Sequence, residues 1–355
     1  MPMATTTLDT YRLLGRSGLR VSPLALGTMT FGADWGWGAE KEQSRHIFDA
    51  YVDRGGNFID TANRYTEGSA EQFIGEFAVG RRDSLVIASK YTLPTYPGDA
   101  NSGGNHRKSM VHSVENSLKR LKTDYLDLLY LHAWDDTTPV DEIMRAMDDL
   151  VRAGKVLYLA ISDIPAWQAA RMQTLADWRG WSPLIALQIE YNLTERTVER
   201  ELIPMAQALG MGVIPWSPLA SGVLSGKYSR QDLRPTGDES GTRRDVARSK
   251  GSLSERNLTI AETVQIIAQQ AGYSPAQVAL AWTLQNPAVT APIVGARTLA
   301  QLEDNLVALE VCLEAEQWQR LAEVSAIELG FPHDFLALPT TRNIMSGEIN
   351  IAARQ

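Results

Sequence analysis

The chain has 355 residues, 44% of them hydrophobic, which is enough for one large core and a normal length for a single α/β barrel with insertions. A formal net charge of −8 argues against nucleic acid or an anionic membrane as the main partner. The single cysteine, Cys312, cannot form an internal disulfide, residues 1–7 lack the basic and apolar regions of a signal peptide, and no apolar run approaches the roughly 20 residues of a spanning helix. A cytoplasmic protein with no membrane partner is the expectation.

Residues 11–14 and 19–21, separated by Gly15-Arg16-Ser17-Gly18, predict a small hairpin. Leu24-Ala25-Leu26-Gly27 predicts the first main strand, and residues 42–54 a helix with Ile47, Ala50 and Tyr51 on one face. Phe58-Ile59-Asp60 after Gly55-Gly56 predicts a second, buried strand; a polar loop carrying Tyr65 follows, then a helix over 70–78 that Ser69 can cap. Further strands over 85–90, 125–132, 156–162, 185–189, 212–217 and 291–294 alternate with helices. The helix after His106 carries Val111, Val114, Leu118 and Leu121 at helical spacing, and the next carries Val140, Ile143, Met144, Met147, Leu150 and Val151. Helices follow from near Pro165 (a good first helical residue) and over 198–209, 258–271 and 299–308, with additional ones over 274–284 and 316–324. Residues 231–251 are polar and read as a mobile loop; a tail with Phe331, Phe335 and Leu336 ends the chain.

Eight strand–helix units with mostly continuous apolar strands predict an α/β protein of the (β/α)8 TIM-barrel class, with an N-terminal β-hairpin and a C-terminal extension. The expected organisation is one domain over 1–355, the barrel spanning about 22–309 and the extension 310–355. A doubly wound sheet is the runner-up, but it would normally open with Gly-x-Gly-x-x-Gly, which Gly27-Thr28-Met29-Thr30-Phe31-Gly32 is not.

In a parallel barrel the strand ends share one face, so Asp60, Lys90 and His132, ending the second, third and fourth strands, can converge with Tyr65. A tyrosine hydroxyl ordinarily ionises near pH 10; a neighbouring ammonium favours the phenolate, and a carboxylate holds the ammonium in place. A histidine can orient a carbonyl oxygen and aid proton transfer. Together these groups suit reduction of a carbonyl or oxidation of an alcohol, with the hydride supplied by a cofactor.

Asp60, Ala62, Tyr65 and Glu71 fit the pattern D-x-A-x-x-Y-G-x-x-E of the aldo-keto reductase family, with Thr66-Glu67-Gly68-Ser69 after the tyrosine as in its longer-loop, aryl-alcohol-dehydrogenase-like branch. The resemblance runs from Tyr11 to about Leu309. It implies that the hairpin closes the barrel bottom, that Tyr65 is the proton donor, that Asp60 and Lys90 tune it, and that His132 orients the substrate. It also implies a nicotinamide cofactor. Gly27, Thr28, Met29 and Asp60 fall on its side of the site; Ser162 and Gln188 match a grip on the carboxamide, and Trp216 matches an aromatic stacked on the ring. Asp163 departs from the family's usual Asn: a carboxylate accepts from the amide NH₂ but cannot donate to its carbonyl.

The segment Ser217-Pro218-Leu219-Ala220-Ser221-Gly222, with Lys227 just beyond, resembles the family's pyrophosphate loop, where small residues admit backbone N–H groups to phosphate. Val294, Gly295, Arg297, Gln301, Asp304 and Asn305 resemble the segment that binds the adenosine half. Arg297, with no obvious acidic residue for a ribose diol, favours NADP(H) over NAD(H), which stays as the alternative. No metal site is expected.

Trp35 and Trp37 in a glycine-rich loop, Tyr91 after Lys90 and Trp134 after His132 are expected to wall the barrel mouth, with the loop over 94–105, the loop after the seventh strand and the Phe-containing tail closing over it. The substrate expectation is a small-molecule carbonyl or alcohol, including bulky aryl or alicyclic ones. Two other functions are compatible with the residues: a cofactor-sensing, channel-associated subunit with weak turnover, by analogy of fold, and a lyase or isomerase forming a Schiff base on Lys90. A homo-oligomer is as compatible with the sequence as a monomer.

Overall fold

The predicted alternation of strands and helices is present in the computed structural model of the chain, which describes residues 6–96, 98–233, 243–347 and 349. A short antiparallel hairpin, β1 (Arg12–Leu13) and β2 (Arg20–Val21), pairs Arg12 with Val21 and Leu13 with Arg20. It is followed by β3 (Ala25–Gly27), α1 (Lys41–Asp53), β4 (Phe58–Asp60), α2 (Ser69–Phe77), β5 (Val86–Tyr91), α3 (Arg107–Leu121), β6 (Leu126–Leu131) and α4 (Val140–Arg152). The second half runs β7 (Val156–Ser162), α5 (Ala166–Arg179), β8 (Leu184–Glu190), α6 (Leu202–Ala208), β9 (Gly212–Trp216), α7 (Arg243–Ser249), α8 (Glu255–Ala271), α9 (Pro275–Leu284), β10 (Ile293–Gly295) and α10 (Leu299–Leu306). Three helices close the chain: α11 (Ala315–Val324), α12 (His333–Ala337) and α13 (Pro339–Ser346).

The eight strands β3 to β10 form one parallel sheet in the order β10-β3-β4-β5-β6-β7-β8-β9. The seam between β9 and β10 is bridged by Val213, whose N–H donates to Ala288 O at 3.1 Å and whose carbonyl accepts from Thr290 N at 2.8 Å. The sheet thus curls into a (β/α)8 barrel, and the hairpin plugs its N-terminal end: Leu14 and Val21 join the apolar cluster inside it, with Phe58, Ala88 and Ile214. Arg12 secures the plug by donating to Val289 O and Thr290 O.

Successive side chains of a strand point to opposite faces. Phe58, Ala88, Tyr130, Ala160, Ala186 and Ile214 point into the barrel; Ile59, Ile87, Leu129, Leu131, Ile161 and Leu187 point out into the larger core beneath the helices. Both faces are therefore buried, which explains the continuous apolar runs.

Several local expectations change. Ser69 is the first residue of α2 and not its cap; Thr66 Oγ1 accepts from Ala70 N at 3.1 Å instead. Val111 lies on the exposed side of α3, whose buried stripe uses Met110. Pro165 precedes the first turn of α5 as its cap residue. The helix expected over 198–209 breaks into a 3₁₀ turn (Thr197–Glu199) and α6, because Pro204 has no N–H to bond and its ring would clash with the carbonyl four residues back in a continuous helix. Within the stretch read as a mobile loop, residues 243–249 form α7; residues 234–242 lie outside the described residues. Among the described residues, no helix is long and apolar enough to cross a membrane.

Candidate active site

Six of the eight barrel strands deliver one side chain towards the C-terminal mouth, two residues beyond an inward-facing apolar residue. Asp60 follows Phe58, Lys90 follows Ala88, His132 follows Tyr130, Ser162 follows Ala160, Gln188 follows Ala186 and Trp216 follows Ile214. The register sets Gly27 beside Asp60, and Ser162 beside Gln188.

Lys90 Nζ, fully buried, donates to Asp60 Oδ1 at 2.6 Å, to Thr61 O at 2.8 Å and to Tyr65 Oη at 3.1 Å. All three ammonium donors are spent. The other carboxylate oxygen of Asp60 accepts from Gln188 Nε2 at 2.8 Å. His132 meets the Tyr65 ring edge-on, with centroids 6.0 Å apart.

Burial works against the Lys90 ammonium, but Asp60 and Tyr65 outweigh it and hold its pKa above the ordinary value. A permanently charged, fully bonded amine is a poor Schiff-base nucleophile, which removes the support for a lyase or isomerase working through Lys90. Burial pushes the Tyr65 hydroxyl upward and Lys90 only partly offsets it, so the phenol keeps its proton at neutral pH. Burial, and then the Lys90 charge, push His132 down to about 3, leaving a neutral imidazole. The site thus presents a protonated phenol and a neutral imidazole to one cleft, with a buried cation behind the phenol.

The loop holding Tyr65 is strained. Thr66 and Glu67 have φ of 46° and 54°, left-handed values that cost non-glycine residues about 1–2 kcal/mol each. Bonds to its neighbours offset this: Thr66 Oγ1 donates to Phe31 O at 2.6 Å, Glu67 accepts from Trp35 Nε1 at 3.0 Å, and Glu67 pairs with Arg64. Behind the loop, fully buried Glu71 accepts from Ser89 Oγ at 2.6 Å and from Arg120 Nε at 2.7 Å, tying α2 to β5 and α3.

The cleft measures about 500 Å³ and runs from the tetrad across the mouth to α10. It gathers Gly27, Met29, Asp60, Ser162, Asp163, Gln188 and Trp216 at one end, then Ser217, Leu219, Ser221, Gly222 and Lys227, and finally Val294, Gly295, Arg297, Gln301, Asp304 and Asn305. Thr28 is the exception among the cofactor-side expectations. It is fully buried, donating to Asp60 O through Oγ1 at 2.9 Å, while Thr30 two residues on lines the cleft. Gln301 Oε1 accepts from Arg297 N at 2.8 Å, and the Asp304 carboxylate accepts from Ser274 Oγ and Gln277 Nε2 at the start of α9. Asp304 therefore borders the cleft while serving as an anchor for that helix.

Of the residues expected to wall the mouth, Trp35 lines the cleft and stacks obliquely on Trp37, centroids 5.7 Å apart. Tyr91 does not line it. With Lys90 pointing inward, its neighbour must point outward, where Tyr91 is fully buried and donates to Asn105 O. Trp134 also lies off the cleft, its indole N–H donating to Asp136 Oδ1 at 2.6 Å. Of the three segments expected to close the mouth, the one after β9 borders the cleft through Lys227 and Lys250, while the described parts of 94–105 and of the tail do not. Phe331 and Phe335 stack on each other in solvent, beside the ion pair of His333 with Glu201.

The sequence reading missed Arg64, Leu93, Lys250, Ala276, Leu280 and Ile293, which also line the cleft. Ile293 was accessible by period-two counting from Ala291, and Arg64 by its place beside Tyr65. Lys250 gave no signal, because it lies in the polar stretch after β9 and reaches the cleft only through the folding of α7; its Nζ stands 5.2 Å from the Trp216 ring centroid.

Comparison with known proteins accords with this geometry. The model of the Aldo/keto reductase family matches residues 23–326. A norsolorinic acid reductase of Aspergillus flavus is 37% identical over 94% of this chain and 86% of its own length. An aryl-alcohol dehydrogenase of Pestalotiopsis microspora is 38% identical over 93% of this chain and 85% of its own. An aryl-alcohol dehydrogenase [NADP(+)] of Phanerodontia chrysosporium is 37% identical over 94% of this chain and 90% of its own.

Proposed function

The chain belongs to the aldo/keto reductase family, and on that premise we propose that it is an NADP(H)-dependent oxidoreductase interconverting aryl or alicyclic aldehydes and ketones with their alcohols. The observation that carries the chemistry is Lys90 Nζ bridging Asp60 and Tyr65 at 2.6 and 3.1 Å at the floor of the cleft.

The residues fit a nicotinamide dinucleotide. Ser162 Oγ is buried beside Gln188 without a hydrogen-bond partner among the described residues, and is free to bond a carboxamide. Gly27 presents bare backbone to the cleft; a Cβ there would lie 2.5 Å from Ile293 Cγ2. At Gly222, φ is 92° and an added Cβ would meet Lys227 Nζ at 2.5 Å, so only glycine lets the lysine lie across the loop that would take the pyrophosphate. Arg297 at the far end supports a 2′-phosphate and hence NADP(H).

The bound cofactor supplies or accepts the hydride. In the reducing direction Tyr65 gives its proton to the carbonyl oxygen. Lys90 stabilises the phenolate that remains, and Asp60 keeps the ammonium in place and charged. The neutral His132 orients the carbonyl oxygen. Trp35 and Leu93 give an aromatic or alicyclic substrate an apolar wall; the aryl-alcohol dehydrogenases among the relatives support that substrate class.

The test follows the loss of NADPH or NADH absorbance with an activated aromatic aldehyde, for the wild type and Tyr65→Phe. NADPH-preferring turnover that collapses in the variant while cofactor binding persists is the expected result. Failure to bind either cofactor would overturn the reading.

A further inference from the structure

Asp163, one residue beyond the end of β7, is the one carboxylate at the inner end of the cleft without an ion-pair partner among the described residues. Asp60 is matched by Lys90; among the described residues the side-chain hydrogen-bond partner of Asp163 is the neutral indole of Trp216, whose Nε1 donates to Oδ1 at 3.0 Å. The backbone holds it from both sides. Its N–H donates to Gln188 O at 3.4 Å, its carbonyl accepts from Trp134 N at 3.2 Å, and its φ is 42°, a left-handed value aspartate tolerates well. Asp163 is exposed and lines the cleft, so a ligand bound there would cover its carboxylate.

The charges around it come from four directions: Lys90 on β5 and Lys250 after α7 attract it, and Glu190 on β8 and Tyr65 respond to its negative charge. Trp216, the last residue of β9, lines the cleft beside Asp163 and donates to it. The carboxylate is thus fixed to Trp216, which by its match to the family pattern would stack on the nicotinamide; the inference rests on the proposed function.

We propose that Asp163 is a positioning and redox-selective residue: anchored on Trp216, its carboxylate sets a negative charge beside the nicotinamide and favours the oxidised, cationic ring over the reduced, neutral one. In reduction the hydride carries two electrons from the ring to the carbonyl carbon, the Tyr65 proton goes to the oxygen, and the ring is left with the positive charge that Asp163 faces. An asparagine would keep the hydrogen bond from Trp216 but lose this preference. At the effective dielectric constant of about 20 found near a protein surface, one charge acting on another is strong enough to change affinity by about tenfold.

The experiment is calorimetric titration of NADP⁺ and of NADPH into wild type, Asp163→Asn and Ser162→Ala at pH 8.5. The expected result is that Asp163→Asn weakens NADP⁺ relative to NADPH by about tenfold, whereas Ser162→Ala weakens both by the same factor. Equal effects of Asp163→Asn on the two forms, or none, would overturn the inference and leave the oxidoreductase reading intact. Absence of binding of both forms to the wild type would overturn the two together.

Discussion

Lys90 Nζ donates to Tyr65 Oη across 3.1 Å from a position where no water reaches it. In the proposed mechanism the ammonium stabilises negative charge on the phenol, and its cost of burial is met by Asp60 at 2.6 Å. Lys90→Met should therefore lower kcat for aldehyde reduction by about 10²–10⁴ with little change in cofactor affinity. Single-turnover kinetics separate the chemical step from binding; a variant that loses affinity and keeps its chemical rate would refute the assignment.

His132 links the site to acid stability. Its pKa is pushed from 6.5 to about 3 by burial and by Lys90, so between those values the unfolded chain binds a proton that the fold does not. Stability must then fall as pH drops from about 6.5 towards about 3, by up to about 1.4 kcal/mol per pH unit from this one group. Urea denaturation of wild type and His132→Asn across that range should show a shallower acid-side loss in the variant. Parallel slopes would mean that the imidazole is not buried as a neutral group.

Glu71 is a support residue with no access to the cleft. Its fully buried carboxylate joins Ser89 and Arg120, and removing it leaves the Arg120 guanidinium without its partner. Glu71→Ala should cost about 3–5 kcal/mol in chemical denaturation. Glu71→Gln, which keeps an acceptor for the Ser89 hydroxyl, should cost less.

Trp35 tests the substrate wall. Trp35→Ala should raise KM for a bicyclic aryl aldehyde by about tenfold, the equivalent of a lost aromatic contact, and leave KM for acetaldehyde almost unchanged. Equal increases for both aldehydes would place Trp35 in loop stability, through its bond to Glu67, and not in substrate contact.

Much of the site was legible before any tertiary structure, because a barrel with parallel strands translates order along the chain into position around one mouth. Given strands ending at Asp60, Lys90 and His132, their convergence needs no long-range information. The same period of two that turns Lys90 inward turns Tyr91 outward, and counting from Ala88 would have caught that error. Thr28 is different: it follows the end of β3, where no alternation predicts its face, and its hydroxyl turns to Asp60 O.

What depended on contacts between distant segments was not legible. Glu71 meets Arg120 across 49 positions and Asp163 meets Trp216 across 53, so neither pairing leaves a local pattern. The same holds for Lys250, carried to the cleft by α7, and for the tail, whose phenylalanines stack on each other away from the mouth. Local spacing and residue chemistry determined the barrel and the tetrad. Packing between remote segments decided which ionised groups acquired partners, and with them the charge of the site: Lys90 held cationic, Tyr65 and His132 held neutral, and the carboxylate of Asp163 turned to an indole with no cation paired to it.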